Sequence, residues 1–223
     1  MLAGPFRGML LPSAGSNPLV IRCLLGTYEL ELHPVIQLLV GTGLRTIINC
    51  GAARGYYAVG LARRCPDAQV IAFEAMDTLH RHIAFTAQLN GVADRVIVRG
   101  ACDAGTLREC LRSAPPPVFV LADIEGNELT IFAGDTATAL AHATLLIETH
   151  DDRVPGTTDQ LLSRFATTHR VEVYPPRGRT REDIPPALVS GLWRTISWLL
   201  VWVMKEVRDP HQRWLLFVPR SAA

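Results

Sequence analysis

Five short runs of β-branched and aliphatic residues, each closed by a turn and separated from the next by helix-forming sequence, constrain this chain more than any other feature. They are Thr46–Cys50 (TIINC), Gln69–Phe73 (QVIAF), 95–99 (RVIVR), Val118–Ala122 (VFVLA) and 144–148 (TLLIE). A strand with one wet face alternates apolar and polar residues, whereas these runs are apolar almost throughout and must be covered on both faces. Between them, 56–64 keeps helical spacing until Pro66, and the stretch after Phe73 does so until Asn90-Gly91, a C-terminal cap. The economical solution is an α/β domain: a doubly wound, mostly parallel sheet flanked by helices, with right-handed crossovers.

The remaining sequence sorts around that centre. A length of 223 residues, 48% hydrophobic and 19% charged, suits one full domain and is too short for two. Residues 1–27, rich in Gly, Pro and Ser without a sustained period, read as an N-terminal arm that wraps or frays, and 28–223 as a single domain. Within the apolar stretch 28–40, Pro34 marks where a helix starts. Near the end, 170–174 (RVEVY) and 214–219 (WLLFVP) read as two further strands, separated by a hydrophobic helical insertion over 186–208. Its Trp-rich part, 188–204, carries Trp193, Trp198 and Trp202, but its densest run is far short of the roughly 20 residues a bilayer span needs. A buried or homodimer-forming helix is expected there, with peripheral membrane contact as its other use.

A formal net charge of +1 provides no field to hold a phosphate backbone, so no nucleic-acid partner is expected. The five cysteines are scattered, with no CxxC spacing, and the proline-broken N-terminus lacks the apolar run of a secretory signal. A reduced, cytoplasmic protein is the simplest expectation.

Chemistry gathers where the strands end. The first runs into Asn49-Cys50-Gly51-Ala52-Ala53-Arg54-Gly55, a glycine turn opening a helix, where the backbone can approach a ligand. Glu74 ends the second strand 23 positions after Gly51, close to the ~20 at which an acidic side chain meets ribose hydroxyls. Together they point to an adenosine-containing ligand. The fourth strand exits into Asp123, Glu125 and Glu128, and the fifth into Glu148 and His150. Carboxylates converging on one edge repel each other and raise some of their pKa values unless a cation or donors offset the charge. His150 is a candidate general base. As hard-cation ligands, Asp123, Glu125, Glu148 and His150 match no metal template, and no metal is expected.

The run IINCGAARGYYAVGLA, VIAFEA, QLNGVADRV, LADIEGNE, LLIETH resembles, in this order, the FkbM family of S-adenosylmethionine-dependent methyltransferases, over about 28–150. TYELEL before the first strand is similar to that family's entry segment. The resemblance implies a Rossmann-like fold with S-adenosylmethionine as cofactor. Asn49, Gly51, Ala53 and Gly55 would line its methionine and ribose part, Glu74 would hold the ribose hydroxyls, and Ala101, Cys102 and Asp103 would border the adenine. Asp123, Glu125 and Glu128 would sit by the amino group, the transfer centre or the acceptor. An acidic edge also suits a sulfonium and an ammonium, where it would repel a dinucleotide's pyrophosphate. The family has an acid where this chain has Asn49, and a different residue where it has Ala53.

The implied function is O-methylation of a hydroxyl on a small-molecule or glycan acceptor, a sugar or secondary metabolite, with His150 or Asp123 taking the proton. A catalytically degenerate, methyltransferase-like partner subunit is the alternative, motivated by Asn49 and the Trp-rich segment. A nicotinamide dehydrogenase shares the fold but needs a third glycine at the usual interval.

Overall fold

The first strand organises the sheet. β1 (Thr46–Cys50) is buried at every position and pairs in parallel with β2 (Gln69–Phe73) on one side and β4 (Val118–Ala122) on the other. This computed structural model describes residues 1–12, 17–189, 196–206 and 208–220. β3 (Val96–Arg99) joins β2 in parallel, and β5 (Thr144–Thr149) joins β4. β7 (Arg213–Pro219) lies antiparallel between β5 and β6 (His169–Tyr174). The order β3-β2-β1-β4-β5-β7-β6 therefore reverses between β1 and β4, where open α/β sheets leave a crevice at the carboxyl ends of their strands. Register makes that edge flush, because Cys50 lies beside both Phe73 and Ala122, and Ala122 beside Ile147. Gly51, Glu74, Asp123 and Glu148 follow directly and emerge side by side.

Helices cover both faces, as the apolar strands require. α1 (Pro18–Leu25), α2 (His33–Val40), α3 (Tyr56–Arg64) and α4 (Asp77–Leu89) pack on one face, Ile36, Leu61 and Ile83 meeting Ile47 and Leu121. On the other lie α5 (Ala104–Ser113), α6 (Glu128–Ile131), α7 (Asp135–Ala139) and α8 (Thr157–Phe165), where Leu107, Ile131 and Phe165 meet Ile48, Val120 and Leu145. The helix expected from Pro34 starts at His33, with Pro34 in its first turn.

Described residues of the arm pack on the core. Phe6 and Met9 are fully buried, and Asn17 caps α1 by accepting the Leu19 N–H at 2.9 Å. Gly60 in the middle of α3 shows why Phe6 fits: a Cβ there would lie 2.5 Å from its ring. A glycine costs about 1 kcal/mol against alanine inside a helix, and here that cost makes room for an aromatic anchor. Of the insertion expected over 186–208, the described residues form a 3-10 turn at Pro186–Leu188 and α9 (Ser197–Met204). Residues 190–195, with Trp193, and 207 lie outside the described residues. α9 packs Leu200 and Met204 against Ile184. Among the described residues no helix is long and apolar enough to cross a membrane.

Candidate active site

The glycine turn comes first. Gly51 has φ +80°, and a Cβ there would stand 1.8 Å from the Asp123 carbonyl oxygen, so only glycine lets β1 and β4 end so close together. Ala53 is held at φ +46°, a left-handed conformation that a non-glycine residue rarely adopts. Glu74 accepts the Ala53 N–H at 2.7 Å through Oε2 and the Met76 N–H at 2.9 Å through Oε1. Two backbone donors thus fix a carboxylate whose remaining lone pairs serve the cleft. That cleft, about 430 Å³, is lined by Gly51, Ala53, Glu74, Ala101, Cys102 and Asp123, among others. These six are the residues expected around S-adenosylmethionine that line one cleft.

Four other expected cofactor contacts do not line it. Gly55 opens α3 and packs on Ile83, while Asp103 caps α5 by accepting the Thr106 N–H at 2.8 Å. Glu128 is fully buried, and its carboxylate is committed to His150. Asn49 is 1% exposed on the α3 side of the sheet, and both polar atoms of its amide lack a partner among the described residues. A spacing argument counts such residues toward a ligand because they neighbour a strand end; here Asp103 caps a helix, Gly55 packs on Ile83 and Glu128 bonds His150.

The acidic edge is more tightly organised than its spacing suggests. His150, 2% exposed, is anchored through Nδ1, 2.8 Å from Glu128 Oε1. Its Nε2 then faces Asp123 Oδ1 and Glu125 Oε2, each at 3.6 Å, and Glu148 Oε2 at 4.0 Å. Burial works against the imidazolium, but the Glu128 hydrogen bond and charge, with Asp123 and Glu125, outweigh it and raise the pKa of His150. Burial also raises Asp123, against the pull of His150. Glu148 is pushed up to about 10, first by burial and then by Asp123, although Arg208 opposes the shift. Glu148 therefore holds its proton near neutral pH.

Arg208 closes the edge from the far end of the chain. It donates to Glu148 at the end of β5, to Glu29 ahead of α2, and to Glu206 at 3.1 Å. Tyr57 donates to the other oxygen of Glu29, and Arg179 bridges Glu31 at 3.0 Å and Glu206 at 2.5 Å. No spacing announces Glu29, Arg179, Glu206 or Arg208 as members of one site; the only local signal is acids placed within apolar sequence, as in TYELEL. Asp123, Glu148 and His150 offer ligand atoms within 4.8 Å of one another, the one group among the described residues able to hold a cation.

Three cavities meet at Asp123. One is the cleft; the second, about 250 Å³ and polar, is lined by Glu125, Glu148, His150, Arg153, Arg208 and others. The third, about 70 Å³ and mostly apolar, lies between the N-terminal arm and the glycine turn. Tyr28 lines both of the last two.

No protein-family model matches the chain, and no curated protein matches it. Solved structures do. An O-methyltransferase from Bacillus cereus in complex with SAH aligns with a TM-score of 0.55 at 16% identity, over 94% of this chain and 84% of that one. Cofactor-bound Rv0187 from MTB aligns with a TM-score of 0.52 at 15% identity, over 96% of this chain and 86% of that one. With strand order and crevice as described, the chain has the Rossmann-like fold of class I methyltransferases.

Proposed function

We propose that this chain is an S-adenosylmethionine-dependent O-methyltransferase acting on a hydroxyl of a polar acceptor, a sugar or secondary metabolite. The observation that carries the reading is the position of Asp123, shared by the cleft with ribose-binding geometry and by a separate polar cavity. Two ligands placed in them would meet at that carboxylate, which is what a transfer between two bound molecules requires. The SAH and cofactor bound by the two structural neighbours support the choice of cofactor. So does an acidic rim beside the glycine turn, which favours a cationic sulfonium. The motif run through LADIEGNE and LLIETH supports the FkbM family within this class.

Glu74 holds the ribose and Gly51 gives the backbone approach. Bound by Gly51 and Glu74, S-adenosylmethionine would supply an electrophilic methyl for the acceptor oxygen and a thioether as leaving group. The chain's own task is the hydroxyl proton. His150 has Nδ1 engaged by Glu128 and turns Nε2 toward three carboxylates, so its place is to position an acid rather than to accept the proton. Asp123, with raised basicity and with Oδ1 lacking a hydrogen-bond partner, takes the proton, and His150 positions it. Arg153, Arg208 and Tyr28 around the polar cavity supply donors suited to a hydroxylated acceptor.

Calorimetric titration with S-adenosylmethionine, SAH and NAD tests this reading. Binding of the first two without NAD, followed by transfer of labelled methyl to a hydroxylated acceptor, is the expected result. A folded protein that binds neither methyl-cofactor form refutes it and favours the non-catalytic partner subunit that Asn49 suggests. In either case Trp198 and Trp202, 63% and 66% exposed on α9, support a homodimer or peripheral membrane contact through 188–204.

A further inference from the structure

Two cysteines that lie 52 positions apart in sequence meet at the cofactor cleft. Cys50 ends β1, fully buried and held in register between Phe73 and Ala122. Cys102 stands in the loop between Arg99, the last residue of β3, and Asp103, the cap of α5. Its Sγ lies 3.3 Å from that of Cys50, and Cys102, only partly buried, lines the cleft beside Ala101. Cys110 belongs to the same apolar layer but contacts Arg99, at 3.5 Å. All three are free thiols. A disulfide holds its sulfurs at about 2.05 Å, so the pair must close by roughly 1.3 Å. The loop can supply that movement, because a Cβ at Gly100 would meet nothing within 4 Å, whereas strands on both sides fix Cys50. The neighbouring Cys102 thiol and then burial raise the pKa of Cys50, so Cys102 is the thiol that meets an oxidant first.

We propose that Cys102 and Cys50 form a peroxide-sensitive thiol pair, closing into a disulfide that withdraws the Ala101–Cys102 wall of the cofactor cleft and weakens binding there. The Cys102 sulfur attacks one oxygen of hydrogen peroxide, the O–O bond breaks, and the departing hydroxide leaves as water with the Cys102 proton. Cys50 then attacks the sulfenic sulfur: the S–S bond forms, the S–O bond breaks, and a second water carries off the Cys50 proton. Two thiols are oxidised and one peroxide is reduced to two waters. The second attack is internal, so the burial of Cys50 does not prevent it. That the cleft holds S-adenosylmethionine rests on the methyltransferase reading; the thiol chemistry does not. By linkage, bound cofactor opposes oxidation by the same factor by which the disulfide weakens its binding.

The test treats the reduced full chain with hydrogen peroxide, caps the remaining thiols and digests with trypsin, which places Cys50 in 46–54, Cys102 in 100–108 and Cys110 in 109–112. A linked 46–54/100–108 peptide is expected, with SAH binding weakened roughly tenfold in calorimetry and both changes reversed by dithiothreitol. Cys102→Ser should remove the linked peptide and make its SAH affinity, whatever the starting value, insensitive to peroxide. Cys50→Ala should stop at a sulfenic acid on Cys102, which dimedone traps; if that variant does not fold, Cys102→Ser decides alone. No linked peptide, one that joins other cysteines, or unchanged SAH binding once Cys50 and Cys102 are bonded overturns the proposal. A reduced protein that binds no SAH refutes the methyltransferase reading and with it the effect on the cofactor, while the linked peptide still decides the thiol pair.

Discussion

The two sides of the β1/β4 switch point are built differently. On the β1–β3 side, Glu74 is fixed by backbone N–H groups 21 residues back and 2 residues on, both in the turns that the strands themselves generate. On the β4–β5 side, Arg208 reaches Glu148 across 60 positions of sequence and Glu29 across 179. The first arrangement forms once neighbouring strands pair. The second exists only after both ends of the chain have docked, so its integrity depends on packing elsewhere. The cofactor half should therefore tolerate distant damage that the acceptor half does not.

Asp123→Asn probes the junction and should have the largest effect. Turnover is expected to fall by about 10²–10⁴, the usual contribution of a positioned general base, with SAH affinity changed far less. Equal losses of both in single-turnover and binding measurements would mean the two halves are not separable. Arg208→Met comes next, because it leaves the buried Glu29 and Glu206 without their cation and Glu148 without its donor. A loss of about 3–5 kcal/mol is expected, lowering the melting temperature by roughly 6–20 °C in calorimetry, with SAH still binding the folded fraction. Glu74→Ala is the mirror experiment. It should weaken SAH roughly ten- to a hundredfold while moving the melting temperature less than Arg208→Met does.

The smallest effect sharpens the comparison by pH. Glu29 is pushed up to about 7 and Glu148 to about 10, from the ordinary 4.5, in both cases chiefly by burial. A folded-state pKa raised above the unfolded one contributes stability that is complete below 4.5 and is lost as pH rises through the folded value. His150, also raised, acts in the same direction above its own unfolded value. Stability should thus decline from weakly acidic to alkaline pH. Glu148→Gln replaces a carboxyl that is already protonated near pH 7, so it should cost about 1 kcal/mol or less there and flatten the decline toward pH 10. Parallel melts of both proteins at pH 6, 8 and 10 check this, and a large loss at pH 6 would show that Glu148 pairs with Arg208 as an anion.

Strands such as TIINC and VFVLA are legible because a fully apolar run of that length has one stable environment, between two layers of helices. Gly51 and Glu74 are legible because the turn and the acid sit at offsets set by a strand, a helix and a second strand. Asp103 and Gly55 also follow strand ends, yet stand at the N-termini of α5 and α3, because nearness to a strand end does not distinguish a cap from a lining residue. The arm carries no period to read. Its Gly, Pro and Ser hide Phe6 and Met9, which join the core, Phe6 where Gly60 leaves a gap in α3.

The sequence by itself thus determined the layered α/β architecture and the glycine turn and acid at its crevice, since both follow from periodicity and local offsets. Only the tertiary structure decided which acids face one another, which arginine contacts them and what walls the polar cavity. Those contacts join residues up to 179 positions apart, and a charged side chain carries no periodic mark of the partner that will neutralise it.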